Sequence, residues 1–231
     1  MANAGFSAPV NYWGSINGLT PKSSQDGATS QLATAMNSKG DVAASDVYGD
    51  RIAPSTDFVV TDEVDLSDIE LGSVVTSGGK SVMLTQVVVN TQAGQMPTVT
   101  LSGISVETSA TAQRTVACSG TLLPRSRAQD IAGGFGSSDS LTQCNTTYKL
   151  EPALAEVKGD VKASDAYDAR IEVNGTWTDP TGALAPTAGT NFTITGAASG
   201  SNPDSDYRSV TATATKFLEL SDSSSSSSSG T

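Results

Sequence analysis

Histidine is absent from all 231 residues, so the commonest general base, neutral-pH switch and metal ligand is missing. Ser-His-Asp and Cys-His catalysis and histidine-ligated zinc are thereby excluded. Aromatic residues make up only 5% of the chain, and there are two cysteines. Basic residues are also scarce: 13 Lys and Arg stand against 24 Asp and Glu, a net charge of −11. Such a chain repels phosphate backbones and anionic lipids, and no basic stripe offsets this. Sequence-specific nucleic-acid binding and a membrane-surface role are therefore not expected. No run reaches the length of apolar residues that a spanning helix needs. The start, Met1 to Phe6, lacks the basic patch and apolar core of a signal peptide, so the expectation is a soluble, unsecreted chain.

Serine and threonine supply about a quarter of the residues, and they alternate with apolar side chains at the period of a half-buried strand. The clearest run puts Val210, Ala212, Ala214, Leu218 and Leu220 on one face against Ser209, Thr211, Thr213 and Thr215. Arg114 to Leu122 reads the same way, with Val116, Cys118, Gly120 and Leu122 inward. Val99 and Leu101 open another strand whose phase slips at Gly103, which signals a bulge or turn. Val82 to Val89 is apolar at nearly every position and is expected to be covered on both faces. Ile171 to Trp177 completes the set. One stretch, Ser23 to Met36, has Leu32, Ala33 and Met36 at helical spacing behind Ser24 and Asp26 as caps, so a short helix is expected there.

The most informative feature is an internal repeat. Residues 39–52, KGDVAASDVYGDRI, recur as 158–171, KGDVKASDAYDARI, identical at ten of fourteen positions. A fainter echo relates Thr98 to Gly103 with Asn191 to Gly196, and the strand from Arg114 with that from Arg208. The expected organisation is all-β, with two tandem duplicated small β-sandwich or barrel-like units. In outline it is an N-terminal arm with the short helix over 1–36, a first unit over 37–124, a polar Gly-rich connecting loop over 125–156, a second unit over 157–220 and a Ser tail over 221–231. The seven consecutive serines of that tail have nothing to bury, so it is expected to be disordered.

Each candidate site has a plain alternative. The repeated Lys-Gly-Asp reads as a recognition tripeptide or as part of a structural segment. In the structural reading Tyr48 and Tyr167 pack, and Arg51 and Arg170 pair with nearby aspartates, Asp46 and Asp165 first. Asp62, Asp65 and Asp68, with Glu63 and Glu70, form the densest set of hard oxygen ligands, and Asn202, Asp204 and Asp206 place ligands at alternate positions. Neither has EF-hand spacing, so they read as weak calcium candidates against a solvated face and a hairpin turn. A carboxylate pair for glycoside hydrolysis is the remaining enzymatic option, with few aromatics to line a sugar site. Cys118 and Cys144 allow one disulfide, or remain thiols, with Cys118 in the core. The Asn-x-Thr sequons at Asn145, Asn174 and Asn191 read as β-rich composition. Trp13 and Trp177 either stack on sugars or anchor a core or interface. The arm carries Phe6, Val10, Tyr12, Trp13 and Ile16 without a regular period, and such an arm is expected to dock, preferentially on a neighbouring subunit.

Taken together, the acidic, Ala/Ser/Thr/Gly-rich, all-β chain with an extended arm and a long loop resembles the virion structural proteins of tailed bacteriophages, the tail-tube group in particular. The resemblance is one of composition and layout and carries over no residue. It implies β-sandwich subunits that form rings, some members with two fused copies per chain. It also implies assembly in the host cytoplasm, residence in the virion, and other virion proteins as partners. The expected function is thus a non-enzymatic, cofactor-free subunit of a tail tube or neck that homo-oligomerises through its β-sheets. The alternative is a monomeric binding module: a capsid decoration protein, an adhesin or a carbohydrate-binding domain.

Overall fold

A computed structural model describes residues 11–36, 42–77, 79–106, 114–157, 160–182, 184–201 and 208–222, with side chains described outside 28–51, 156–165, 201 and 221–222. Among these residues the chain is built from antiparallel strands. They are β1 (Leu19–Met36), β2 (Val42–Val60), β3 (Val64–Asp65), β4 (Glu70–Leu71), β5 (Val74–Ser77), β6 (Lys80–Gln92), β7 (Thr98–Val106), β8 (Arg114–Ala117), β9 (Thr121–Leu122), β10 (Leu141–Val157), β11 (Asp160–Asp179), β12 (Thr193–Ser201), β13 (Arg208–Phe217) and β14 (Ser221–Asp222). One 3-10 turn, Leu66–Asp68, interrupts them. No α-helix occurs among the described residues, so the helix expected over 23–36 is corrected to strand. Every residue from Ser24 to Thr29 is in register with β2. Helical spacing of three apolar residues was outweighed by pairing to a neighbour, because strand formation depends on that partner more than on intrinsic preference.

The main sheet runs β1-β2-β7-β6-β10-β11-β13-β12, with β5 paired to the start of β6. β11 also packs against β2 and β7, which are not its neighbours in this order, so the sheet curls and its two halves face each other across the core. That core joins Phe58, Val60, Val87, Val99 and Leu101 to Tyr148, Leu150, Ile171, Val173, Trp177 and Ala214 in one cluster. Trp177 meets Phe135 edge-on at 4.7 Å, a favourable geometry for two rings. The described parts of the stretches 37–124 and 157–220, expected to be two tandem units, share one sheet and one core.

Period-two patterning located several elements well. Val210, Ala212 and Ala214 are buried on β13, and Val82, Met83 and Leu84 are buried on both faces of β6. The slip at Gly103 is a bulge carried by the opposite strand: Leu84 pairs with Gly103 and Gln86 with Ser102, leaving Thr85 as the extra residue. Gly103 itself is required by close packing, since a Cβ there would lie 2.8 Å from the Trp13 ring and 2.4 Å from the Met83 carbonyl. The expected strand 114–122 is broken at 118–120 into β8 and β9. The loop expected through residue 156 ends at residue 140, where β10 begins.

Candidate functional site: repeated hairpins and open sheet edges

The sequence repeat lies on two long hairpins, β1–β2 and β10–β11, whose registers correspond. A step of 119 positions carries β2 onto β11 and one of 120 carries β1 onto β10: Pro21↔Phe58 matches Leu141↔Trp177, Ala28↔Ile52 matches Tyr148↔Ile171, and Met36↔Val42 matches Glu156↔Val161. Register shifts recur at the ends, between Pro21 and Ser23 and between Leu141 and Gln143, and again between Ala35 and Met36 and between Ala155 and Glu156. Each second strand also carries an extra residue near the repeated tyrosine.

The same order of strands then follows each hairpin. β2 is flanked by β7 and then β6; β11 is flanked by β13 and then β12. The bulge at Thr85 has its counterpart at Thr195, where Ile194 pairs with Ala214 and Gly196 with Thr213. Even a side-chain bond is shared: Thr85 Oγ1 donates to the Ser102 carbonyl at 3.3 Å, and Thr195 Oγ1 to the Thr213 carbonyl at 3.4 Å. In position, therefore, β6 corresponds to β12 and β7 to β13. This corrects the fainter sequence echo, which aligned Thr98–Gly103 with the strand after Asn191 and the strand from Arg114 with that from Arg208. β8 lies off the main sheet, between β4 and β14.

The two four-strand sets meet where β6 pairs with β10, from Gln92↔Gln143 to Gln86↔Lys149. Among the described residues, the outer strands β1 and β12 have no further strand paired to their outer edges. Strand β12, TITGAASGS, has no charge and no proline, and residues 195–200 are exposed on both faces. Charge and proline are the usual protection of an edge. β1 carries Pro21, Lys22 and Asp26 near one end and is uncharged from Gly27 to Met36. Above the sheet both hairpins project. β10 leaves β6 at Lys149 and β11 joins β13 from Arg170, so, among the described residues, 150–157 are paired by β11 alone. At strand rise that ribbon is about 25 Å long.

Of the arm residues read as intersubunit anchors, Phe6 and Val10 lie outside the described residues. The other three pack on the chain itself: Tyr12 is buried, Trp13 and Ile16 sit against the core, and Trp13 covers Gly103. Of the repeat residues, Asp46, Tyr48, Arg51 and Asp165 have side chains outside the description. Tyr167 does not pack; it is 63% exposed. Arg170 pairs with Asp168 at 3.0 Å and Glu172 at 2.8 Å, with Glu151 at 4.0 Å. Lys149 bonds Glu151 and holds its carboxyl below the usual range.

Asp62, Asp65 and Asp68 line a shallow pocket with Ile16 and Asn17, but no three carboxylates converge on a metal position among the described residues. Asp62 accepts the Glu63 amide and Asp65 the Ser67 amide, and the Ser67 bonds lower the Asp65 pKa. Asn202, Asp204 and Asp206 lie outside the described residues. Cys118 and Cys144 are buried thiols, unpaired with each other, and burial pushes each up to about 12. The turn after β11 was not found from sequence. There buried Asp179 accepts the amides of Thr181, Gly182 and Leu184. Burial by itself would raise its pKa, and these bonds bring it below the usual value. The chain matches no protein-family model and no curated protein.

Proposed function

We propose that the chain is a non-enzymatic structural subunit made of two fused copies of a four-strand unit, and that it joins copies of itself edge to edge into a ring. Following the resemblance of composition and layout, we place that ring in the tail tube or neck of a phage virion. One observation carries this reading. At β6–β10 the last strand of the first set pairs with the first strand of the second, and β12 and β1 are the same two edges left open at the ends. Repeating the internal junction between chains makes a heterologous contact, which closes into a ring when the rotation per subunit allows.

The junction also supplies a register. Transferring β6–β10 onto β12 and the β1 of the next copy sets Gly196 opposite Thr29, Ala198 opposite Gly27 and Ser201 opposite Ser24. Pro21, which cannot donate to a ladder, then falls outside the paired stretch. A monomeric module that stacks sugars on tryptophan is less well supported, since Trp177 is 2% exposed and the half-buried Trp13 covers Gly103. Light scattering coupled to size exclusion tests the proposal. The wild type is expected to elute as a defined multimer, and Ala197→Lys with Ser199→Lys, placing charges on an exposed edge, to elute as a monomer with unchanged β circular dichroism. A monomeric wild type overturns the ring.

A further inference from the structure

Two corresponding places on the sheet differ in how they are covered. On β6 and β7 the face turned away from the main core carries an apolar cluster of its own: Met83 and Val106 are buried, and Val74, Ile104 and Leu154 pack against them. Leu154 belongs to the projecting part of β10, five residues past Lys149, where the pairing with β6 ends. The ribbon of the second hairpin thus covers the outer face of the first set of strands.

Counting from the shared bulge, Met83↔Ile104 corresponds to Thr193↔Thr215, and two residues further along Val106 corresponds to Phe217. Thr213, Thr215 and Phe217 alternate with the buried Ala212 and Ala214, so Phe217 lies on the outer face, as Val106 does. It stands opposite Arg170 and is 71% exposed, more than any other large hydrophobic side chain among the described residues. A single exposed apolar residue is ordinary on a protein surface. Phe217 is set apart because its counterpart is covered and the covering segment, the next hairpin along the sheet, is identified. Beyond β12 no further hairpin follows among the described residues. In the first hairpin the positions of Pro152, Leu154 and Glu156 are held by Leu32, Thr34 and Met36: Leu32↔Val47 matches Pro152↔Ala166, and Thr34↔Ser45 matches Leu154↔Ser164.

We infer that Phe217 is an intersubunit anchor: the stretch Leu32–Met36 of a second copy of this chain lies over it, as Leu154 lies over the Met83–Val106 cluster. This contact rests on the edge-to-edge ring proposed above and adds to it a second surface, on the face of the sheet and not along its edge. The transferred register places Thr29 of the next copy opposite Gly196, as Lys149 stands opposite Gln86, so the residues after Thr29 leave the edge where Thr193, Thr215 and Phe217 lie. Sizes compensate: Leu154 over Val106 becomes Thr34 over Phe217, a smaller residue above a larger one. The contact also supplies what the edge lacks. β12 is exposed on both faces over 195–200 and holds Gly196 and Gly200, a composition that specifies strand register weakly, and a ring anchored beside the edge fixes it.

Hydroxyl-radical labelling read by mass spectrometry tests this on the full chain, comparing the assembled wild type with the edge-blocked monomer that carries Ala197→Lys and Ser199→Lys. Relative to the other exposed side chains, Met96 among them, Phe217 is expected to be labelled several-fold more slowly in the assembly. Sedimentation equilibrium then identifies the cover. Phe217→Val is expected to weaken association about 10-fold with unchanged circular dichroism, and Thr34→Leu added to it, which copies Val106 and Leu154, to recover most of that loss. A wild type that assembles with Phe217 labelled as fast as in the monomer overturns this inference and leaves the ring standing. Protection of Phe217 without recovery by Thr34→Leu overturns the hairpin as its cover. A wild type that stays monomeric overturns the ring and this contact together.

Discussion

The hairpins β1–β2 and β10–β11 share a register, end shifts and a ten-residue identity, yet they are packed differently. The first forms an edge of the sheet, while the second lies between β6 and β13. At one corresponding position the first has Phe58 and the second Trp177; two residues earlier the first has buried Thr56 and the second Gly175. A Cβ on Gly175 would lie 2.3 Å from the Trp177 ring. The larger ring and the smaller neighbour thus compensate, as cores that keep total volume while exchanging individual residues commonly do. The repeated arginine teaches a second lesson. Arg170 pairs with Asp168 and Glu172, but the corresponding positions beside Arg51 are Gly49 and Ala53. The backbone hairpin recurs between the halves; that ion pair does not.

The largest expected effect comes from the core exchange. Trp177→Ala and Phe58→Ala should each cost about 3–5 kcal/mol in denaturant unfolding. Gly175→Thr alone should be comparably damaging, because the ring cannot move away. Combined with Trp177→Phe, which copies the first hairpin, it should be markedly less damaging than the sum of the single changes; additivity would break the equivalence of the halves.

An intermediate effect concerns Cys144, whose counterpart is Ser24. The Cys118 and Cys144 thiols, raised from 9.0 to about 12, stay protonated in the fold while the unfolded chain ionises. Stability from them is complete below about pH 9 and is lost as pH rises through about 12. Alkaline unfolding is expected to begin in that window, with thiol reagents excluded from the native protein. Cys144→Ser should remove part of the alkaline slope, and an unchanged slope would place its origin elsewhere. The smallest effect is at Arg170. A double-mutant cycle with Asp168→Ala should give a coupling of about 0–1 kcal/mol that shrinks with salt, as for other partly exposed pairs. A larger coupling would mean that the ion pair, not the pairing of strands, holds the second hairpin.

How much was legible follows from how each strand is buried. β13 and the start of β6 were readable because Val, Leu and Met fall on the faces that the fold covers. β10 was not, since its inward positions hold Cys144, Thr146, Tyr148 and Leu150, a mixed set without β-branched apolar residues. β1 offers Pro21, Lys22 and Gln25 and owes its form to β2. The repeat marked the two matching hairpins but not the strands beyond them. The correspondence of β6 with β12 lies in pairing and in a bulge, with almost no shared residues. Among the site residues, Arg170 is legible in the sequence but its partner is not Asp165: on a strand the neighbours on its own face are two positions away, Asp168 and Glu172.

The central claim is that β12 meets the β1 of another copy in the register of β6 and β10. Ala198→Cys with Gly27→Cys tests it most directly, the native thiols being buried. After oxidation, the account predicts a ladder of covalent multimers on a denaturing gel, lost when Gly27→Cys is replaced by a cysteine three positions along, Ser24→Cys. A monomer band alone from the matched pair, with both thiols still free and the wild type multimeric, would contradict it.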